Sequence, residues 1–122
     1  MTVVLVLLGG AVGASLRYLT DLLVQSRTGS VLPWGTLVVN VAGSFALGVV
    51  GAVVTTAGAP GWLMTLLGTG FCGALTTFST FGFETVRLLE EGSILEALVN
   101  VVASLAAGLA AVTAGWALVS VL

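Results

Sequence analysis

The residues of greatest chemical interest form a hexapeptide, Thr76-Thr77-Phe78-Ser79-Thr80-Phe81. It lies near the end of a stretch, residues 28–83, that contains no Asp, Glu, Lys or Arg. Each hydroxyl offers an O–H donor, and each phenylalanine ring offers a positive edge. Together such groups can line a narrow path for a small anion. Phe78 and Phe81 are i, i+3 and share a helix face, so an aromatic packing ridge is the plainer reading of that pair. The chain has no Lys and no His, so a Schiff-base lysine and a histidine base or metal ligand are excluded. Its one cysteine, Cys72, excludes an intrachain disulfide and reads as a small buried side chain. No enzyme is expected.

Further polar residues recur at helical spacing. Asn40 stands among valines with Thr36 one turn before it and Ser44 one turn after. An amide there either bonds a neighbouring helix or donates to an ion. Asn100 and Ser104 form a second i, i+4 stripe, and Arg17 and Asp21 are spaced to pair. That pair reads equally as a snorkelling boundary pair or as a positive field drawing anions to a mouth. Glu84 ends the uncharged stretch with Arg87 one turn later, either as a boundary ion pair or as a mouth residue. Gly68, Gly70 and Gly73 precede the hexapeptide and loosen helix geometry. A break at Gly73 to Thr77 would free carbonyls that cannot face lipid. Turned inward they would hold a hard monovalent cation; satisfied by threonine hydroxyls they would merely mark a kink, the simpler reading of the residues alone.

The elements that carry these groups are membrane helices. The chain is 58% hydrophobic and 7% charged, against about 25% charged in soluble domains, so the bilayer is its solvent. A formal charge of −2 is too small to suggest nucleic acid. A span needs about 20 apolar residues, and four segments of one domain, 1–122, meet that length: about 3–24, 34–56, 62–89 and 94–122. The first has no basic residue ahead of it and no clean cleavage site, so it is expected in the mature protein. Pro33 and Pro60 precede the second and third segments, where a missing N–H is harmless, and Trp34 and Trp62 suit a headgroup boundary. Gly9 and Gly13, the glycines at 43, 48 and 51, and the Ser104/Gly108 pair are expected to let helices approach closely. Four short helices leave little interior, which favours an oligomer. Arg27, Arg87 and Arg17 fall on one side, and those loops lean cytoplasmic.

Three blocks match a known family. They are Gly9-Gly10-Ala11-Val12-Gly13-Ala14-Ser15-Leu16-Arg17-Tyr18, Pro33-Trp34-Gly35-Thr36-Leu37-Val38-Val39-Asn40-Val41-Ala42-Gly43-Ser44-Phe45, and Gly70-Phe71-Cys72-Gly73-Ala74-Leu75 leading into the hexapeptide. In these blocks, in length and in layout, the chain resembles the small fluoride channels called Fluc or CrcB. The resemblance implies an all-α membrane protein with its third helix broken at mid-membrane, assembled as an antiparallel, dual-topology homodimer with two fluoride pores. It implies that Asn40 donates to fluoride, that Phe78 and Phe81 offer ring edges, and that Ser79, Thr80, Ser44, Asn100 and Ser104 extend the polar lining. Arg17 would sit at an aqueous vestibule and Glu84 at a mouth. Carbonyls of Gly73 and Thr76 from both subunits would hold a central sodium ion. Two departures stand out: beyond Ser104 the same face offers Gly108 and Val112 rather than hydroxyls, and the arginine bias is one-sided.

The function this implies is passive, selective export of cytoplasmic fluoride across the cell membrane. Two rivals differ in class. A four-helix multidrug exporter needs an acid within the first helix, where the chain has only Asp21, near the helix end. A purely structural membrane subunit would account for the glycines but not for polar stripes on three helices.

Overall fold

The computed structural model describes residues 1–29 and 31–122. Its described residues are helical apart from short connections: α1 (Thr2–Arg27), α2 (Trp34–Thr56), a π-helical segment (Met64–Cys72), α3 (Gly73–Leu75), α4 (Phe78–Glu90) and α5 (Ile94–Ser120). Among the described residues, four stretches are long and apolar enough to cross a membrane: Thr2–Arg27, Trp34–Thr56, Met64–Glu90 and Ile94–Ser120. Pro33 is the N-cap residue of α2. Gly92, with φ of 80°, closes α4. There the Ser93 N–H returns to the Leu88 carbonyl at 2.8 Å and the Gly92 N–H to that of Leu89 at 3.1 Å, the double turn that satisfies the last carbonyls of a helix.

Glycines set the packing. In lipid, helices gain little from hydrophobic association and depend on close backbone contact. A Cβ on Gly9 would collide with the Leu66 carbonyl oxygen, and one on Gly13 with that of Phe71. One on Gly48 would strike the Val112 carbonyl, and one on Gly115 the Phe45 carbonyl. Between α1 and the third span these contacts advance in the same direction, and between α2 and α5 so do Ser44 with Gly108, Gly48 with Val112 and Gly51 with Trp116. So α1 runs parallel to the third span and α2 runs parallel to α5, as alternating crossings require. Gly43 joins the two pairs, since a Cβ there would enter the Thr76 methyl.

One packing expectation changes. The tight approach of α5 is at Gly115 rather than at the Ser104/Gly108 pair; the nearest atom to a Cβ on Gly108 is Ser44 Oγ, at 3.7 Å. Parallel crossing helices touch closely only near their crossing point, and Gly108 lies away from it, beside a groove. The interior is thin. Val39, Leu88, Ala52 and Ala97 are buried, whereas large apolar side chains such as Leu8, Leu23, Leu105 and Phe83 are exposed. That distribution suits a chain whose apolar surface meets lipid or another protein.

Candidate functional site

The third span is interrupted at Thr76 and Thr77. Thr76 has ψ of 158° and Thr77 has φ of −149° and ψ of 120°, both extended. The interruption is shorter than the sequence suggests, because helix continues through Gly73 to Leu75. Upstream, glycines 68 and 70 lie in the widened π-helical turn, and the Gly73 N–H that follows it reaches back to the carbonyls of both. They give α1 direct access to backbone: a Cβ on Gly70 would lie 3.0 Å from the Val6 carbonyl oxygen.

Asn40 braces the interruption from α2. Its Nδ2 donates to the Thr77 carbonyl at 3.0 Å, and its Oδ1 accepts from the Thr77 N–H at 2.7 Å. The side-chain amide thus engages both backbone groups of Thr77, as a residue on a neighbouring strand would. An NH2 group has two N–H donors, and only one is used among the described residues. Thr77 then starts α4. Its Oγ1 accepts from the Thr80 N–H at 3.1 Å, an N-cap bond. The same hydroxyl donates to Thr80 Oγ1 at 3.0 Å and stands 3.4 Å from Ser79 Oγ. Thr76 returns its hydroxyl to the Cys72 carbonyl at 2.9 Å.

These bonds divert two N–H groups. In a continuous helix the Thr77 N–H would serve the Gly73 carbonyl and the Thr80 N–H the Thr76 carbonyl. Asn40 takes the first and the Thr77 hydroxyl takes the second. Gly73 and Thr76 therefore present carbonyl oxygens without their helical donors, the chemistry a hard monovalent cation requires. Both residues line an open groove of about 460 Å³ together with Asn40, Ser44, Phe78 and Phe81. Ser104 and Gly108 of α5 close its far wall. The Phe78 and Phe81 rings are 5.8 Å apart at 45°. Phe78 is 82% exposed in the single chain, so its ring is not held by this chain's own core.

Other expected residues are placed elsewhere. Ser79 and Thr80 cluster on the Thr77 hydroxyl rather than on the groove wall. Asn100 is buried and does not continue the stripe of Ser104. Its Nδ2 donates to Thr85 Oγ1 at 2.9 Å, and Thr85 donates to the Phe81 carbonyl at 2.8 Å. Glu84 is buried between α2 and α4 and accepts from the Thr36 hydroxyl. Arg17 and Asp21 do not form the expected ion pair. The Asp21 carboxylate lies where a Cβ on Gly35 would be, against the start of α2. Nor does Arg87 pair with Glu84; it meets the next turn instead, Glu91, at 3.9 Å.

Two residues to which the sequence reading gives no role of their own join this network. For Thr77 the signal was present: a threonine just ahead of a helical run is an N-cap pattern. For Thr85 there was none, since a hydroxyl one turn after Phe81 has no distinguishing spacing.

Comparison with known proteins agrees with this architecture. Residues 4–116 match the family model described as CrcB-like protein, Camphor Resistance (CrcB). A protein of Nocardia farcinica named "Fluoride-specific ion channel FluC 1" is 56% identical over 115 residues, covering 93% of this chain and 78% of the relative. One of the same name from Streptomyces avermitilis is 50% identical over 115 residues, covering 94% and 93%. Another, from Frankia casuarinae, is 47% identical over 123 residues, covering 97% and 95%. With its four membrane-crossing helices, its interrupted third span and a match over nearly its whole length, this chain belongs to the CrcB family.

Proposed function

We propose that this chain is a fluoride-selective passive channel of the plasma membrane, which lets cytoplasmic fluoride leave and so lowers its toxicity. No bond is made or broken. The observation that carries the reading is the Asn40 amide, fixed on the Thr77 peptide with one N–H to spare, beside Phe78 and Phe81 in a groove shared with Ser44 and Ser104. Fluoride is small and strongly hydrated, and a bare ion at membrane depth is very costly. Several close donors held rigidly must replace its water. An amide N–H, hydroxyls and the positive edges of rings supply such contacts without a full positive charge that would trap the ion. A fixed, narrow path excludes the larger chloride ion.

In this reading two copies pair antiparallel and the interruption lies at mid-membrane. The partner covers the open groove and the exposed Phe78, giving two pores per dimer. Asn40, Phe78 and Phe81 face the ion; Ser44, Ser79, Thr80 and Ser104 extend the polar track; Arg17 serves the vestibule and Glu84 a mouth. The Gly73 and Thr76 carbonyls would hold a sodium ion, whose positive charge satisfies them and lowers the cost of anions nearby. The exporter alternative is not favoured, because Asp21 packs on Gly35 rather than facing an interior cavity.

The test is fluoride efflux from liposomes holding the purified chain, read with a selective electrode, with chloride as control. Rapid fluoride release without chloride release is expected. A well-folded dimer that releases neither ion would refute self-sufficient conduction.

A further inference from the structure

We infer that Thr77 is the positioning residue that makes the Gly73 and Thr76 carbonyls available to a cation. The inference rests on the channel reading above, with its bound sodium ion. Both diverted N–H groups meet at this residue. The backbone N–H of Thr77 goes to Asn40 Oδ1 at 2.7 Å, and its side-chain Oγ1 takes the Thr80 N–H at 3.1 Å. The first diversion removes the helical donor of Gly73, and the second removes that of Thr76.

The extended backbone of Thr77 and its hydroxyl are coupled. An N-cap residue takes a non-helical conformation so that its side-chain oxygen can reach the second or third N–H of the helix. With the hydroxyl in place, the chain turns out of the helix at Thr77 and the Thr76 carbonyl stays free. Without it, the Thr80 N–H has no partner, and the nearest acceptor along the chain is the Thr76 carbonyl. A freed carbonyl buried away from water needs a donor or a cation. Thr77 itself is buried, so water does not substitute for the cap. Its hydroxyl also orders Ser79 and Thr80, which places the cation carbonyls and part of the proposed anion track under one side chain.

The test compares Thr77→Val, Thr77→Ala and Thr77→Ser in the full-length purified dimer. The readout is the sodium concentration giving half-maximal protection against thermal unfolding, with N-methyl-D-glucamine as the replacing cation. Valine has threonine's shape without its hydroxyl, and serine keeps the hydroxyl. The valine and alanine variants should need about tenfold more sodium, the equilibrium equivalent of one lost N-cap, and the serine variant should stay within about twofold of wild type. A valine midpoint equal to wild type overturns the inference, as does a serine midpoint displaced as far as valine's. If wild type shows no sodium dependence, the sodium reading fails and this inference with it, while wild-type fluoride efflux separately reports whether the channel reading stands. A second measurement needs no variant. In wild type, the carbon-13 carbonyl resonance of Thr76 in solid-state NMR should move when sodium is exchanged, and an unmoved resonance counts against the assignment.

Discussion

Replacing Asn40 by Asp tests the brace and the anion path together. Oδ1 remains, so the 2.7 Å bond from the Thr77 N–H survives. The Nδ2 donor becomes an oxygen that faces the Thr77 carbonyl oxygen across the former 3.0 Å contact. Leaving that carbonyl unsatisfied costs about 1–3 kcal/mol. A carboxylate within a membrane helix adds about 2.5–3.5 kcal/mol when ionised, and its charge repels the anion. Those costs fall on stability; the rate falls because a carboxylate about 4 Å from the passing anion raises its energy by about 4 kcal/mol at an effective dielectric of about 20, more than two powers of ten at about 1.4 kcal/mol per tenfold. Fluoride efflux from liposomes is therefore expected to fall at least about 100-fold, in protein that elutes from size exclusion like wild type. Efflux within about threefold of wild type from such protein would show that the Asn40 amide neither braces the interruption nor meets the ion.

Phe81→Ile removes the ring 5.8 Å from Phe78 and with it a pair worth about 0.5–1.5 kcal/mol; fluoride efflux should drop while assembly persists, and an unchanged rate would exclude the ring from the path. Gly115→Ala forces a methyl into the Phe45 carbonyl, which should cost about 1–3 kcal/mol by overpacking and lower the melting temperature. Gly61→Ala, with nothing near its Cβ, should stay within about 0.5 kcal/mol, and equal loss in both would undo the packing account. Thr36→Val strips the buried Glu84 of its hydroxyl donor and should destabilise by about 1–3 kcal/mol; Thr36→Ser should restore most of it, and a valine variant as stable as wild type would mean that the hydrogen bond contributes nothing.

Much was legible from composition because a bilayer asks so little of a sequence and asks it so strictly. A span must be long and apolar, and it must satisfy its own backbone, so four segments, about 3–24, 34–56, 62–89 and 94–122, stand out before any contact is known. Gly9 and Gly13 likewise announce close packing, since only a missing side chain lets two backbones meet in lipid. The hexapeptide announces itself because hydroxyls at membrane depth need a partner or a polar path.

The partners were a matter of tertiary structure. Nothing in sequence separates an Asn40 that donates to an ion from one that grips the Thr77 peptide; that depends on which turn of the third span α2 crosses. Arg17 and Asp21 have ideal spacing for a pair, yet the carboxylate lies against Gly35. Asn100 and Ser104 share a stripe on paper and part company in space, because one turn of α5 faces Thr85 and the next faces the groove. A single strand of sequence determined that this protein lives in the bilayer as four helices with polar groups to place. Only the packing decided which N–H meets which carbonyl at Thr76 and Thr77, because hydrogen bonds act over about 3 Å and no spacing along one helix specifies a distance to its neighbour.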